Sequence, residues 1–333
     1  YGFYQPLCRS RPVQRFRCKT CRRTFSTQTF RADFRDHKPR LNAPVVELLC
    51  SGIGLRQTAR LVHLSRRCLE LKARKLSRCV RQLDRNLRRR YPATRQRRLL
   101  RVHFDEFETF EERRNTRPVT IATSIESRTR FIIGVHAGPI RPSGTMTESR
   151  QRAVEQDELR FGPRKTRSRV VCRAALRRAA DMAGEKATIA LFTDQKKTYP
   201  AIAREAFAPR EVIHQQTPSV QPRGKRNPLF PINHEEACLR DKNARLRRES
   251  WLVSKRRHFL NLQLSLYAGY RNYVRPRFNK DKQAPAQLLR ITRRRLATQE
   301  LVGWRQIWGE RSPCPIEDRV QSYFSRRPVQ RAA

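Results

Sequence analysis

Acidic residues are scarce in this chain of 333 residues: 29 Asp and Glu stand against 75 Lys and Arg, giving a formal net charge of +46. An excess of that size excludes the ordinary surface of a soluble enzyme and implies a polyanionic partner. Long apolar runs are missing too. No stretch approaches the roughly 20 consecutive apolar residues of a transmembrane helix, and no signal-peptide pattern is present. Nucleic acid is therefore the expected polyanion, not a membrane. A disulfide framework is excluded as well, because nine cysteines at uneven spacings in so long a chain read as a reduced set. The expected setting is cytoplasmic, prokaryotic and nucleoid-associated. The chain opens at Tyr1, inside what reads as a motif already under way, and its N-terminus is expected to be truncated.

Apolar residues still make up 38%, enough for a real core, and the length suits two or more domains. Residues 1–100 carry 27 basic and 5 acidic residues, a local net of +22 by subtraction. Within them, "RFRCKTCRRTF" sets Cys18 and Cys21 in a Cys-x-x-Cys knuckle between Phe16 and Phe25. Two thiolates at that spacing bind one Zn²⁺ from one side and leave its tetrahedron incomplete. Cys8 is a candidate third ligand, and no second Cys-x-x-Cys pair follows. The alternative is a pair of structural cysteines without metal. Residues 42–76 then read as three short helices: an apolar stripe of Val45, Val46, Leu48 and Leu49 broken at Gly52 and Gly54, a helix over Leu55–Leu61, and a third capped by Ser65 with Leu69, Leu71 and Leu76 inward. This describes a helix-turn-helix, with Arg66 and Arg67 at the groove-entering end and Arg56 and Arg60 on the preceding helix. The bland reading is a helical hairpin with solvated arginines. Residues 81–98, interrupted by Pro92, read as a basic linker.

Beyond the linker the pattern changes to strands at 99–107, 118–125 and 130–136, a polar long loop or insertion at 137–168, an amphipathic helix in "RVVCRAALRRAADMAGEK", and a buried strand "ATIALFTD" ending at Asp194. A short helix, a strand "REVIHQ" and a long helix from about Ile232 follow, with one more helix from Thr298 to Trp308 in the tail. In such an order the first and fourth strands can lie side by side. Asp105, in "LLRVHFDEFETF", and Asp194 would then project from neighbouring strands. Carboxylates that close raise each other's pKa, unless divalent cations sit between them and a phosphate chain. The third acid is expected from the long helix. Ile232, Leu239, Leu246 and Val253 recur every seven residues and mark its buried face; Glu235 and Glu236 flank that stripe, Asp241 lies almost opposite, and Glu249 is too far along. Glu236 is the first choice and Glu235 the alternative, and either could instead be a helix-dipole partner.

With these parts in place, the chain resembles insertion-sequence transposases with an RNase H-like catalytic core of the DDE type. The resemblance rests on "RFRCKTCRRTF", "SGIGLRQTAR", "FDEF", "FTDQKKTY" and "ARLRRESWLVSK", and covers roughly the first 275 residues. It implies an α/β fold: an RNase H-like core with a mixed five-stranded sheet and helices, preceded by a small zinc-ribbon remnant and a helix-turn-helix module. The implied domains are 1–40 (zinc-ribbon-like), 41–80 (helix-turn-helix), 81–98 (linker), 99–275 (catalytic) and 276–333 (basic helical tail). Asp105 and Asp194 map onto the first two catalytic acids. Counted without a gap from "ARLRRESWLVSK", the glutamate position falls on Asn233, and a shift of three residues reaches Glu236.

The activity so implied is metal-dependent cleavage at the ends of a mobile element and transfer of the freed 3′ hydroxyl into target DNA. Asp105, Asp194 and Glu236 would hold Mg²⁺ (or Mn²⁺), and Cys18 and Cys21 part of a Zn²⁺ site. Arg245, Arg247, Arg248, Lys255, Arg256 and Arg257 would line the DNA backbone, with Lys196, Lys197 and Tyr199 near the site. The partners are double-stranded DNA and further copies of the chain, a homodimer or more. The rivals are a decayed transposase that only binds DNA, and a simple nuclease.

Overall fold

The computed structural model describes residues 1–6, 10–29, 31–89, 99–222, 224–247 and 251–304. Cys8, Arg248, Glu249, the second half of the basic linker and the tail beyond Trp304 lie outside the described residues. The described chain divides into two compact units, one holding residues 1–37 and the other residues 38–303. In the first, β1 (Phe3–Tyr4), β2 (Val13–Arg17) and β3 (Thr24–Ser26) form an antiparallel sheet in that order. Phe16 and Phe25 are register partners and stack at 5.4 Å, fixing the hairpin whose turn carries Cys18 and Cys21.

The second unit opens with α1 (Asn42–Leu49), α2 (Leu55–Leu61) and α3 (Arg66–Arg89). Gly52, in the break after α1, has φ +82°, and a Cβ there would meet the Asp241 carbonyl at 2.7 Å, so only glycine fits. Ser65 caps α3: its hydroxyl accepts from the Cys68 amide at 3.2 Å. The third helix is longer than the sequence suggested and takes in residues 81–89 of the stretch read as a linker. The reason is an apolar seam of Leu69, Leu76, Val80 and Leu83, all buried, with no Gly or Pro to stop it; Leu71, read as inward, is 54% exposed.

Next come β4 (Leu99–Phe110), β5 (Pro118–Glu126), β6 (Ile132–Pro139), α4 (Glu148–Phe161), α5 (Ser168–Met182), β7 (Thr188–Asp194), α6 (Tyr199–Phe207), β8 (Val212–Thr217), α7 (Phe230–Lys242), α8 (Arg257–Tyr273), α9 (Pro285–Leu288) and α10 (Thr298–Gly303). The strands form one mixed sheet in the order β6-β5-β4-β7-β8. β4, β5 and β6 meander antiparallel, while β7 and β8 run parallel to β4. Order and sense give the mixed five-stranded sheet with flanking helices that the sequence led us to expect.

Alternation along the strands gives the sheet two faces. Leu100, Val102, Phe104 and Glu106 share one with α5 and α6: Ser124, level with Phe104, donates to the Ala175 carbonyl at 2.8 Å, and Tyr199 packs edge-on to Phe104 at 5.0 Å. His103, Asp105 and Phe107 share the other with α7, where Arg240 lies 4.5 Å over the Phe107 ring. α8 covers the open edge at β6. There the Asn272 and Asn261 amides each exchange two hydrogen bonds, of 2.8 to 3.1 Å, with the backbone of Ile132 and Ala137.

Two expectations fail here. The segment 137–168 is not all loop, because α4 occupies it. That helix has no apolar stripe and no buried residue, and rests on a Thr147 cap and an Arg152–Glu148 pair at 3.2 Å. The long helix from Ile232 also ends early, at Lys242. Asn243 is extended, its amide bonded to the Leu239 carbonyl at 2.8 Å, and the chain re-enters as α8. Ile232, Leu239, Leu246 and Val253 are nevertheless all buried, so the heptad marked burial without marking continuity. Among the described residues no helix is long and apolar enough to cross a membrane.

His103 generates a prediction. Burial, helped by the charge of Arg130 and opposed by the hydrogen bond to the Pro228 carbonyl, lowers its pKa to about 4. A folded pKa below the unfolded value of about 6.5 means stability is full above that pH and is lost as pH falls towards 4. Chemical denaturation between pH 7 and 4 should show a loss of about 3 kcal/mol from this residue, and His103→Gln should flatten that part of the profile.

Candidate active site

Asp105 lies midway along β4, and Asp194 closes β7. The parallel ladder between the strands ends with His103 opposite Phe192, an offset of 89 residues. Carried two residues beyond the ladder, that offset would bring Asp105 level with Asp194, and alternation from His103 and Phe192, which stack at 4.7 Å, puts both on the α7 face, with strands spaced about 4.8 Å apart. Each aspartate is half-buried and anchored at its own turn of chain. Asp105 Oδ1 accepts from the Glu106 amide at 2.7 Å, and Asp194 Oδ1 from the Lys196 amide at 3.1 Å.

The two glutamates of α7 separate clearly. Both are buried, Glu235 at 0% and Glu236 at 5% exposure. Glu235 is held by the Arg271 guanidinium of α8 in a two-pronged pair of 2.9 and 3.0 Å, itself buried. A carboxylate so engaged is a cross-link between α7 and α8. Glu236 lies one turn before Arg240 on the same helical face. Since Arg240 covers Phe107, two residues along from Asp105, this face addresses the aspartate-bearing side of the sheet.

Glu106 was read only as one of the clustered acids, and its role was missed. It faces away from Asp105, with its side chain 5% exposed. It accepts from Ser168 at 2.7 Å, Thr120 at 2.9 Å, Lys196 Nζ at 2.5 Å and Tyr199 at 3.3 Å. Burial opposes its charge, but the Lys196 and Ser168 hydrogen bonds outweigh it and hold the carboxyl below its usual range. Burial likewise opposes the Lys196 charge, and Glu106, with Cys172 and Asp194 further off, raises its pKa. For Tyr199, burial and the charges of Glu106, Asp105 and Asp194 all push the phenol up. Glu106 thus ties the loop that follows Asp194 to β4. Nothing in the spacing of "FDEF" tells the two acids apart except strand alternation.

The basic residues divide by exposure. Arg56, Arg60, Arg66, Arg67 and Lys255 are exposed, with Arg66 paired to Glu70 at 2.9 Å. Arg245 is turned inward, donating to Ser254 at 2.9 Å, and burial lowers its pKa. In the N-terminal unit the Cys21 amide points at Cys18 Sγ at 3.5 Å and, with the Cys21 and Thr20 contacts, lowers the Cys18 pKa. Such a turn favours thiolate and suits one side of a metal site. Among the described residues, no group of three or more His, Cys, Asp and Glu side chains comes together closely enough to hold a metal ion.

The two glutamates are distinguishable by experiment. Glu235→Ala strands Arg271 as a lone buried charge and should cost about 3–5 kcal/mol. Glu236→Gln, nearly isosteric, should leave thermal stability within about 1 kcal/mol of the parent. Equal losses of Tm would refute the separation.

No family model matches the chain. No curated protein matches it either. Among solved structures it is similar to a chain in the crystal structure of a pre-cleavage Mos1 transpososome, at 11% identity over 68% of this chain and 74% of that one, with a TM-score of 0.20. At that TM-score the likeness carries no weight for the site, which stands on this chain's own residues.

Proposed function

We propose that this protein is a DNA transposase of the DDE type, cleaving the ends of a mobile element and joining them to target DNA. The observation that supports the reading is the β4–β7 register, which, continued for two residues, would bring Asp105 and Asp194 level on the face of the sheet turned to α7, the helix of Glu236. Asp105, Asp194 and Glu236 are the acids that would hold Mg²⁺ or Mn²⁺, which supplies activation of the attacking oxygen and stabilisation of the leaving one. Glu235 is set aside because Arg271 already neutralises it. The hard oxygens of these three carboxylates suit such ions, whose charge would offset the repulsion between the acids and a phosphodiester.

The chain's own residues then do the positioning. Glu106 holds Lys196 and Tyr199 beside Asp194, so that Lys196 stands at the edge of the acids where a phosphate would approach. Double-stranded DNA is the partner implied by a net charge of +46. Arg56, Arg60, Arg66 and Arg67, exposed around the α2–α3 turn, would meet it as a helix-turn-helix does, and Lys255 would add a backbone contact. The Cys18–Cys21 turn would hold one side of a Zn²⁺ ion. Joining two DNA ends calls for a homodimer or larger assembly.

A second reading, a decayed copy that binds DNA without cutting it, draws on the lack of a three-ligand grouping among the described residues. One assay separates them. With Mg²⁺ and duplexes carrying the element's terminal repeats, the parent should cleave, and Asp105→Asn, Asp194→Asn and Glu236→Gln should each reduce cleavage to background while DNA affinity is kept. In all of them affinity should fall steeply with salt. Salt-sensitive binding by the parent with no cleavage would establish the decayed copy, and cleavage unchanged in Asp105→Asn would remove the proposed site.

A further inference from the structure

On the far side of the sheet from the aspartates, a cavity of about 310 Å³ opens between the edge strand β6 and helices α3, α5 and α8. Its volume sits at the low end of ligand pockets, about 300–1,000 Å³. Its titratable lining is Arg81, Asp84 and Arg88 of α3, His136 of β6, and Arg178 of α5. His136 is level with Ala122 and so with Glu106, which places it on the face turned away from Asp105. The cavity is therefore separate from the candidate active site.

Three guanidiniums face one carboxylate here, and that carboxylate is already committed. Asp84 Oδ1 accepts from Arg88 at 2.8 Å and from the Tyr273 hydroxyl at 2.8 Å. Arg88 is committed as well, donating to the Ile133 and Ile132 carbonyls at 2.7 and 3.0 Å and so closing one end of the strand edge. Arg178 makes no hydrogen bond or ion pair among the described residues, although it is half-buried. Burial and the charges of Arg88 and Arg85 press its pKa down, outweighing the opposite pull of Asp84 and Asp181. His136 feels the same field: burial first, then Arg178, Arg81 and Arg88, bring its pKa to about 4, so it is neutral near pH 7. Like charges gathered in a partly desolvated cleft repel one another, and a bound anion turns that repulsion into attraction. The guanidinium fork matches the oxygens of a phosphate.

We propose that this cleft is a phosphate-binding site, in which Arg178 receives a phosphate group. The site does not depend on the cleavage chemistry, and the phosphate can come from a DNA backbone or from solution. Two measurements distinguish these sources. In the first, thermal denaturation of the full chain is followed as inorganic phosphate replaces chloride at constant ionic strength. A saturable rise in Tm is expected, absent in Arg178→Ala and retained in Arg177→Ala, an exposed neighbour on the same helix. The wild-type titration needs no variant, and removing one of several repelling charges should leave Arg178→Ala folded, with a Tm in chloride no lower than the parent's. In the second, affinity for an arbitrary DNA duplex is measured against salt. Arg178→Ala should weaken it about tenfold and lower the salt slope by about one, beyond any change in Arg177→Ala. A Tm response alone assigns free phosphate, and an affinity loss alone assigns the DNA backbone. Neither response, or a phosphate effect that survives Arg178→Ala, overturns the site.

Discussion

The parallel ladder between β4 and β7 is the constraint on which the candidate site depends. Parallel strands need a long crossover, here the whole of β5, β6, α4 and α5, so Asp105 and Asp194 arrive from positions far apart in the chain. Once the ladder is in register, alternation leaves no freedom: a slip by one residue would put one aspartate on the α5 face and the other on the α7 face. The core enforces the register, because Val102, Phe104, Ile189 and Leu191 must all turn to the same buried side.

In so basic a chain three acids buried in the fold act as cross-links. Glu106 joins β4 to the loop after β7, Glu235 joins α7 to α8, and Glu111 takes both Arg164 at 3.0 Å and the Arg257 amide, at the start of α8, at 2.9 Å. Each is nearly inaccessible and answered by a cation or several donors, which is the condition for a buried carboxylate to remain charged. The arrangement explains how neighbouring acids in "FDEF" and "HEEA" differ in kind. Glu106 and Glu235 cross-link elements of the fold, while strand alternation and helical phase turn Asp105 and Glu236 toward the α7 side of the sheet.

The surplus of arginine poses the opposite problem. Where arginines outnumber acids inside the fold, backbone carbonyls and aromatic faces take some of them, as Arg88 shows with Ile132, Ile133 and the Phe131 ring at 4.8 Å. Arg245 is similarly absorbed by Ser254, which removes it from the set of DNA contacts that its place in the sequence suggested. Charge density along a sequence measures attraction to a polyanion in bulk. It does not say which guanidiniums face outward.

The strands and most helices of the core were legible because their apolar residues repeat with periods of two or 3.6, and those periods are local. So were the Ser65 cap and the break at Gly52. α4 escaped notice because its stability comes from a cap and ion pairs with no apolar face, and the end of α7 was hidden because Asn243 interrupts a heptad whose later members stay buried for other reasons. By itself the sequence determined the charge, the two strand-borne aspartates and a short list of glutamates. Only the tertiary structure paired Glu235 with Arg271 and gave Glu106 its place. Those choices turn on Arg271, Lys196 and Ser168, residues 36 to 90 positions away along the chain, which meet their partners only after the sheet and its helices have packed.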